Sequence, residues 1–222
     1  MARNDARRKS FGGRLFLSLL RAILVFSLLG LFILLCWRMC AADSIPAAVK
    51  SVTPNEAMTQ AYGPDAPKDT DAFYQSYGLF TYNEEAYGYF SVPQAVFFPG
   101  ADQLQVVIRY NVSTLKKITA DYALDSVPDR EEDLFDYTVV LTDGKGNETR
   151  FFPAPKETRK YAKGLYVYYR LTFPGAVPTD GTEGVFIDFY YRGTEARPAE
   201  VDYSQTAMGA VCLYENVGEN IP

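Results

Sequence analysis

Histidine is missing from all 222 residues, and its absence removes three chemistries at once. The usual general base at neutral pH, the commonest zinc ligand and the middle member of the common hydrolase triads all need an imidazole. Cysteine is scarce: Cys36 and Cys40 stand four apart, on one face of a helix, and Cys212 stands alone in "AMGAVCLYE". Three cysteines cannot all pair within one chain, and none has metal-ligand spacing. Cys212 fits a small buried hydrophobe. The single Trp, Trp37, falls in an apolar run, so no tryptophan is left to stack on a sugar ring in the rest of the chain. Phosphate-binding Gly-rich motifs and Gly-x-Ser-x-Gly are also lacking.

The nearest approach to a catalytic signature is "STLK", in which Ser113 and Lys116 match Ser-x-x-Lys without its Lys-Thr-Gly or Ser-Asp-Asn companions. Carboxylates gather at Asp129, Glu131, Glu132 and Asp133 in "PDREEDLF", a pattern that reads as a solvated connector. Calcium ligation there, or at Asp143 and Asn147, would need an alternating ligand ladder that the spacing does not supply. The sequence therefore predicts no catalytic residues, no metal, no cofactor and no enzyme activity. Asn111 and Asn147 match glycosylation acceptors, which matter only in a host that uses them.

What is present begins with one long hydrophobic run. Residues 15–37, "LFLSLLRAILVFSLLGLFILLCW", are broken only by Arg21, and as a helix would reach about 34 Å, enough for a hydrocarbon core of about 30 Å. Arg21 lies about a turn inside, where its stem can carry the guanidinium back to the headgroups. Arg3, Arg7, Arg8, Lys9 and Arg14 precede the run against Asp5 alone. The positive-inside rule then predicts a cytoplasmic tail at 1–14, a transmembrane helix at 15–37 and an extracytoplasmic remainder at the cell membrane. Cleavage after Ala42 as a signal peptide is the rival, disfavoured by an apolar region longer than the 7 to 15 residues or so of such signals.

Beyond the run, from residue 39, 15 Lys plus Arg face 26 Asp plus Glu, a net charge of −11 that argues against nucleic acid as a partner. Prolines at 46, 54, 64 and 67 mark residues 38–72 as a stalk. Within it Thr53 and Glu56 suggest a capping box for a helix at 54–62, stopped by Gly63. The aromatic content is nearly all Tyr (17) and Phe (15), which favours strands. "LQVVIRYNV" alternates Leu104, Val106, Ile108, Tyr110 and Val112 with its other residues, and "FDYTVVLTD" alternates Phe135, Tyr137, Val139 and Leu141 before a hairpin turn at "DGKGN". "STLKKITADYAL" is the one helical interruption, presenting Leu115, Ile118 and Tyr122. Seven to nine short strands in 73–222 predict an all-β, antiparallel β-sandwich of immunoglobulin-like architecture, lacking the disulfide and core Trp of antibody domains. The plan is similar to that of many bacterial cell-surface and envelope accessory proteins, a likeness of architecture that carries no residue-level role.

Two binding surfaces are suggested. "GLYVYYRLTFPG" read as a strand turns Leu165, Val167, Tyr169, Leu171 and Phe173 inward, and "VFIDFYYR" turns Val185, Ile187, Phe189 and Tyr191 inward. Paired as a hairpin, the two would gather Tyr166, Tyr168, Arg170, Phe186, Asp188, Tyr190 and Arg192 outward. Tyrosine with arginine on a rigid sheet is the mixture enriched in protein-binding hot spots. The competing reading is that segment 73–98, or the stalk, covers this face. In "PKETRKYAKG", Lys156, Arg159, Lys160 and Lys163 suit contact with an anionic surface, lipid or polymer. The expected function is a non-catalytic module binding a partner protein or envelope component, or an accessory subunit of a membrane assembly. A carbohydrate-binding module is the alternative.

With no histidine and no metal-spaced cysteines, the melting temperature of the detergent-solubilised protein is expected to be unchanged when EDTA is added. A structural ion bound only to the folded state would raise stability by mass action, so a large drop with chelator would contradict this.

Overall fold

The computed structural model describes residues 2–43, 45–69, 72–73, 76, 81–82, 85–87, 90–121, 126–127, 135–191 and 209–215. Arg192, Tyr122 and the acidic run Asp129–Asp133 lie outside them. The chain divides into two units, one up to Ser44 and one from Ile45 onward.

The first unit is a single helix, α1 (Ala2–Asp43). Its stretch Phe16–Arg38 is long and apolar enough to cross a membrane, one residue displaced from the expected bounds.

The second unit is built on two antiparallel sheets. Strands β1 (Thr81–Tyr82), β2 (Glu85–Tyr87), β3 (Phe90–Phe98), β4 (Gln103–Asn111), β7 (Arg159–Lys163) and β8 (Tyr166–Pro174) form a six-stranded sheet in the order β1-β3-β4-β8-β7, with β2 also on β3. Strands β5 (Phe135–Asp143), β6 (Glu148–Phe151), β9 (Thr182–Tyr191) and β10 (Gly209–Glu215) form a four-stranded sheet in the order β10-β9-β5-β6. Inward residues of both sheets meet in one core. Phe90 stacks on Phe189 with ring centroids 4.4 Å apart and meets Phe135 edge-on at 4.8 Å, two arrangements that suit the ring quadrupole. Helix α4 (Val112–Asp121), capped by Asn111 Oδ1 accepting from the Thr114 amide at 2.9 Å, adds Leu115 and Ile118 to this core.

The inward faces expected of 164–173 and 184–192 are the ones observed except at Leu165, which precedes β8 in the β7–β8 turn and is exposed, and the two strands do not form a hairpin. β8 pairs with β4 and β7, and β9 pairs with β5 and β10, so the two stand in opposite sheets. The connection 175–181 crosses from one sheet to the other and buries Ala176 and Val177 on the way. It has the length to span a core about 10 Å thick, whereas a tight hairpin would need only about two residues.

Residues 45–73, expected largely as a stalk, pack on the outer face of the six-stranded sheet. The short helix α2 (Ala47–Lys50) sets Val49 against Val107 and Tyr168, and Val52, Met58 and Phe73 cover Val96 and Phe98. Helix α3 (Glu56–Tyr62) is capped by Asn55, whose Oδ1 accepts from the Met58 amide at 2.9 Å, and stops at Gly63 with φ 84°. The Thr53–Glu56 capping box does not form because the helix begins at Glu56 with Asn55 as its cap, and Thr53, two residues earlier, is held to the sheet by its main chain. Its amide donates to Gln105 Oε1 at 2.8 Å and its carbonyl accepts from Gln105 Nε2 at 2.9 Å.

Arg170 completes this seam, fully buried between segment and sheet. Its guanidinium donates to Gln105 Oε1 at 2.7 Å and 3.2 Å, to Gln94 Oε1 at 3.3 Å and to the Val49 carbonyl at 2.9 Å. All these acceptors are neutral. Loss of hydration, and secondarily the positive charge of Arg159, push its pKa down to about 9, so it is still protonated at neutral pH.

Arg170→Met should therefore orphan several buried acceptors and cost roughly 3 kcal/mol, given that each unpaired buried group costs about 1–3 kcal/mol. Urea denaturation of residues 45–222 would measure it. A fragment starting at residue 73 should unfold at lower urea than one starting at 45. Equal midpoints would show that the segment contributes nothing.

Candidate functional site

The outer face of the four-stranded sheet is assembled by register. β5 sets Thr138 beside Asp188, Val140 beside Phe186 and Asp136 beside Tyr190, while β6 sets Arg150 beside Val140 and β10 sets Ala210 beside Asp188. Alternation along each strand turns these residues away from the core. Thr138, Val140 and Tyr190 are nevertheless buried on it, whereas Phe186 and Asp188 are half-buried and Ala210 is exposed.

Arg150 is its hub. The guanidinium Nη1 donates to the Tyr190 hydroxyl, to Thr138 Oγ1 at 3.3 Å and to Asp188 Oδ2 at 3.5 Å, while Nη2 lies 3.6 Å from Glu148 Oε2. The Tyr190 hydroxyl in turn donates to Asp188 Oδ2 at 3.2 Å. The side chains of Arg150 and Asp188 are 26% and 15% exposed, so the network is held at the surface with limited access to water. Burial raises the Asp188 carboxyl above the ordinary carboxylate value; the Tyr190 hydrogen bond and the Arg150 charge oppose that rise, and Glu148 adds to it. Half-buried Phe186 and Cys212 and half-exposed Phe152 supply apolar contact around this polar centre.

An open groove of about 650 Å³ lies at one end of the same sheet, between the β5–β6 turn and the loop 175–182. Leu141, Phe151 and Val177 give it an apolar floor, and Asp143, Lys145, Asn147 and Thr179 a polar rim. Asp143 is occupied in holding the turn. Its Oδ1 accepts from the Lys145 and Asn147 amides at 2.9 and 2.8 Å and its Oδ2 from Asn147 Nδ2 at 2.8 Å, bonds that lower its pKa. Among the described residues no group of three or more acidic or cysteine side chains is placed to hold a metal.

The residues singled out in the sequence are therefore separated. Phe186, Asp188 and Tyr190 share the four-stranded face, whereas Tyr166, Tyr168 and Arg170 stand on the outer face of the other sheet. Of those, Tyr168 and Arg170 are buried beneath residues 45–53, and Tyr166 is half-buried with the Arg109 guanidinium 4.9 Å from its ring. The four cations of 156–163 do not form one surface. Lys156 is exposed in a 3-10 turn, Lys160 lies 5.3 Å from the inward-facing Tyr169 ring, and Arg159 and Lys163 sit on the opposite side of β7, beside Arg170 and Tyr166. Ser113 and Lys116 are exposed on α4, with Leu115 and Ile118 of the same helix in the core. Arg150 is the functional candidate that sequence reasoning missed. Alternation in "ETRFF" marks it as outward-facing, but nothing local links it to Asp188, 38 residues away.

The raised pKa of Asp188 makes a pH prediction. The folded state binds this proton more tightly than the unfolded chain, so between about pH 4 and the raised value stability falls as pH rises, and the ionised carboxylate is a net cost at neutral pH. Asp188→Asn should raise the melting temperature at pH 7, with the advantage shrinking as pH falls through the raised value and gone below about pH 4, where the carboxyl is neutral in both the folded and the unfolded chain. A lower melting temperature for the variant at pH 7 would show that the ion pair with Arg150 outweighs desolvation.

Comparison of the chain with family models, curated proteins and solved structures found no match.

Proposed function

We propose that the chain is a single-pass, membrane-anchored, extracytoplasmic module of immunoglobulin-like topology that recognises a partner protein through the outer face of its four-stranded sheet, without catalysis. The observation that carries the proposal is the inequality of the two outer faces. One is covered by residues 45–69 and Phe73; on the other, Arg150 and Asp188 are partly exposed over the buried Tyr190, with half-buried Phe186 and Cys212 on the same face. Such a surface offers charge held in a fixed orientation by its own hydrogen bonds, which binds with little loss of side-chain entropy.

The topology is supported by strand order. β3-β4-β8-β7 and β10-β9-β5-β6 correspond to the A-B-E-D and G-F-C-C′ sheets of immunoglobulin-like domains, taken in chain order. The chain departs from antibody domains in having no intersheet disulfide and no strand-C tryptophan, positions served here by the stacked and edge-on rings of Phe90, Phe135 and Phe189. The anchor and its orientation are supported by the length of Phe16–Arg38 and by the five basic residues ahead of it.

Two measurements on intact cells test the reading. Protease added outside should remove an epitope placed at Pro222 and spare one at Met1, and an epitope at Pro222 that stays protected until lysis would overturn the orientation. A photo-crosslinking residue at Phe152 or Ala210 should capture one protein that the same probe at Lys116 does not, with Arg150→Glu reducing the yield at least tenfold. Equal yields from all three positions would overturn the binding face.

A further inference from the structure

We propose that the end of the sandwich carrying the β7–β8 turn rests on the anionic headgroups of the membrane into which the chain is anchored, with Leu165 entering the headgroup region. The inference depends on the proposed anchor, and starts from the length of the tether. Phe16–Arg38 is the apolar span, α1 continues to Asp43, and Ile45 already belongs to the sandwich unit. Five helical residues and two extended ones reach about 15 Å at most, given about 1.5 Å per helical residue and about 3.5 Å per extended one. The headgroup layer is itself about 5–8 Å thick on each side of the hydrocarbon. Ile45 is thus confined to the neighbourhood of the bilayer surface.

Packing says which end of the sandwich that is. Ile45 lies against the cluster of Val49, Val107 and Tyr168 together with Tyr166, the first residue of β8. From there the segment runs away along the sheet: Thr53 reaches Gln105, Asn55 reaches Gln103, and Tyr62 reaches Gly100 beyond the far end of β4. The near end therefore holds the β7–β8 turn and the start of α4, whose Val112 amide donates to the Leu165 carbonyl at 3.1 Å.

The chemistry of this end suits a headgroup layer. Leu165, at 69%, is the most exposed large apolar side chain among the described residues of the sandwich unit; it follows Gly164, whose φ of 60° makes the turn, and Tyr161 nearby is 43% exposed. At this end Arg109 lies over the Tyr166 ring and Lys163 pairs with Tyr166, while Lys116 and Lys117 are exposed on α4, the helix whose first residue is bonded to Leu165, with Asp121 at its last residue. Tyrosines with lysine and arginine around an exposed leucine are the composition of membrane-interface anchors, and each cation near an anionic surface strengthens the attraction. The cations here stand out from a region whose net charge is negative.

The test uses the full chain in nanodiscs containing phosphatidylglycerol, with Trp37→Phe to remove the native fluorophore and Leu165→Trp to report. Lipids brominated near the headgroup end of the acyl chains should quench this reporter at least twofold, and shift its emission to the blue. Neither effect should appear for Lys145→Trp in the same background, since Lys145 lies in the β5–β6 turn. Raising salt, or replacing Lys116 and Lys163 together by Gln, should reduce the quenching. Two outcomes overturn the proposal and are distinguishable. If Trp37 of the unaltered chain is quenched while the Leu165→Trp reporter is not, the anchor stands and the surface contact fails; if Trp37 is not quenched either, the anchor fails and the contact with it.

Discussion

A guanidinium removed from water and given no carboxylate is the constraint on which the architecture of the sandwich unit turns. Arg170 can remain charged in that position only while neutral oxygens meet its donors, and these come from three places: Gln94 on β3, Gln105 on β4 and the main chain at Val49. Removing the segment 45–53 would open the site and leave Gln105 without Thr53 as well as Arg170 without a carbonyl. Sheet and segment are therefore one folded body, and the boundary of that body lies at Ile45. The polar seam also fixes register, because neutral hydrogen bonds between particular groups cannot slide as an apolar contact can.

The same arrangement shows what alternation in a sequence can and cannot convey. Period-two patterning in β4, β5, β8 and β9 identified the core faces, since successive side chains leave a strand on opposite sides. It was silent on which strands are neighbours. A strand entering a hairpin and one entering a crossover between sheets carry the same alternation, and β8 and β9 differ from a hairpin pair only in the seven residues, 175–181, between their sheets. Tyr168 and Arg170 point outward from their sheet as the pattern implies, yet are buried. What covers them lies more than a hundred residues earlier, in a stretch whose prolines read as a linker. At the start of α3 one local rule yielded to another, since Asn55 two residues on took the cap while the main chain of Thr53 was held by Gln105. The candidate site was legible in half: Phe186, Asp188 and Tyr190 follow from β9, whereas Arg150 enters through pairing of β5 with both β6 and β9.

Tyrosine, abundant in this chain, serves in three distinct settings. Tyr110, Tyr137 and Tyr169 complete the core, their rings in contact with one another between the two sheets. Tyr62 and Tyr168 fasten the covering segment. Tyr190, bonded to Arg150 and Asp188, buries its ring on the outer side of the four-stranded sheet and gives its hydroxyl to the polar network there. Composition alone cannot separate these uses, because a ring with one polar tip fits each of them.

β7 closes one end of its sheet, and its backbone there has no neighbouring strand on the outer side among the described residues. Five residues, "RKYAK", place a cation on each side of the strand, with Arg159 and Lys163 on one and Lys160 on the other. An unpaired edge invites another chain to add a strand, and charged side chains, lysine above all, discourage it. A run that reads in the sequence as a patch for an anionic surface thus stands, in the sheet, on an end strand whose outer edge is open among the described residues, where its charges guard that edge.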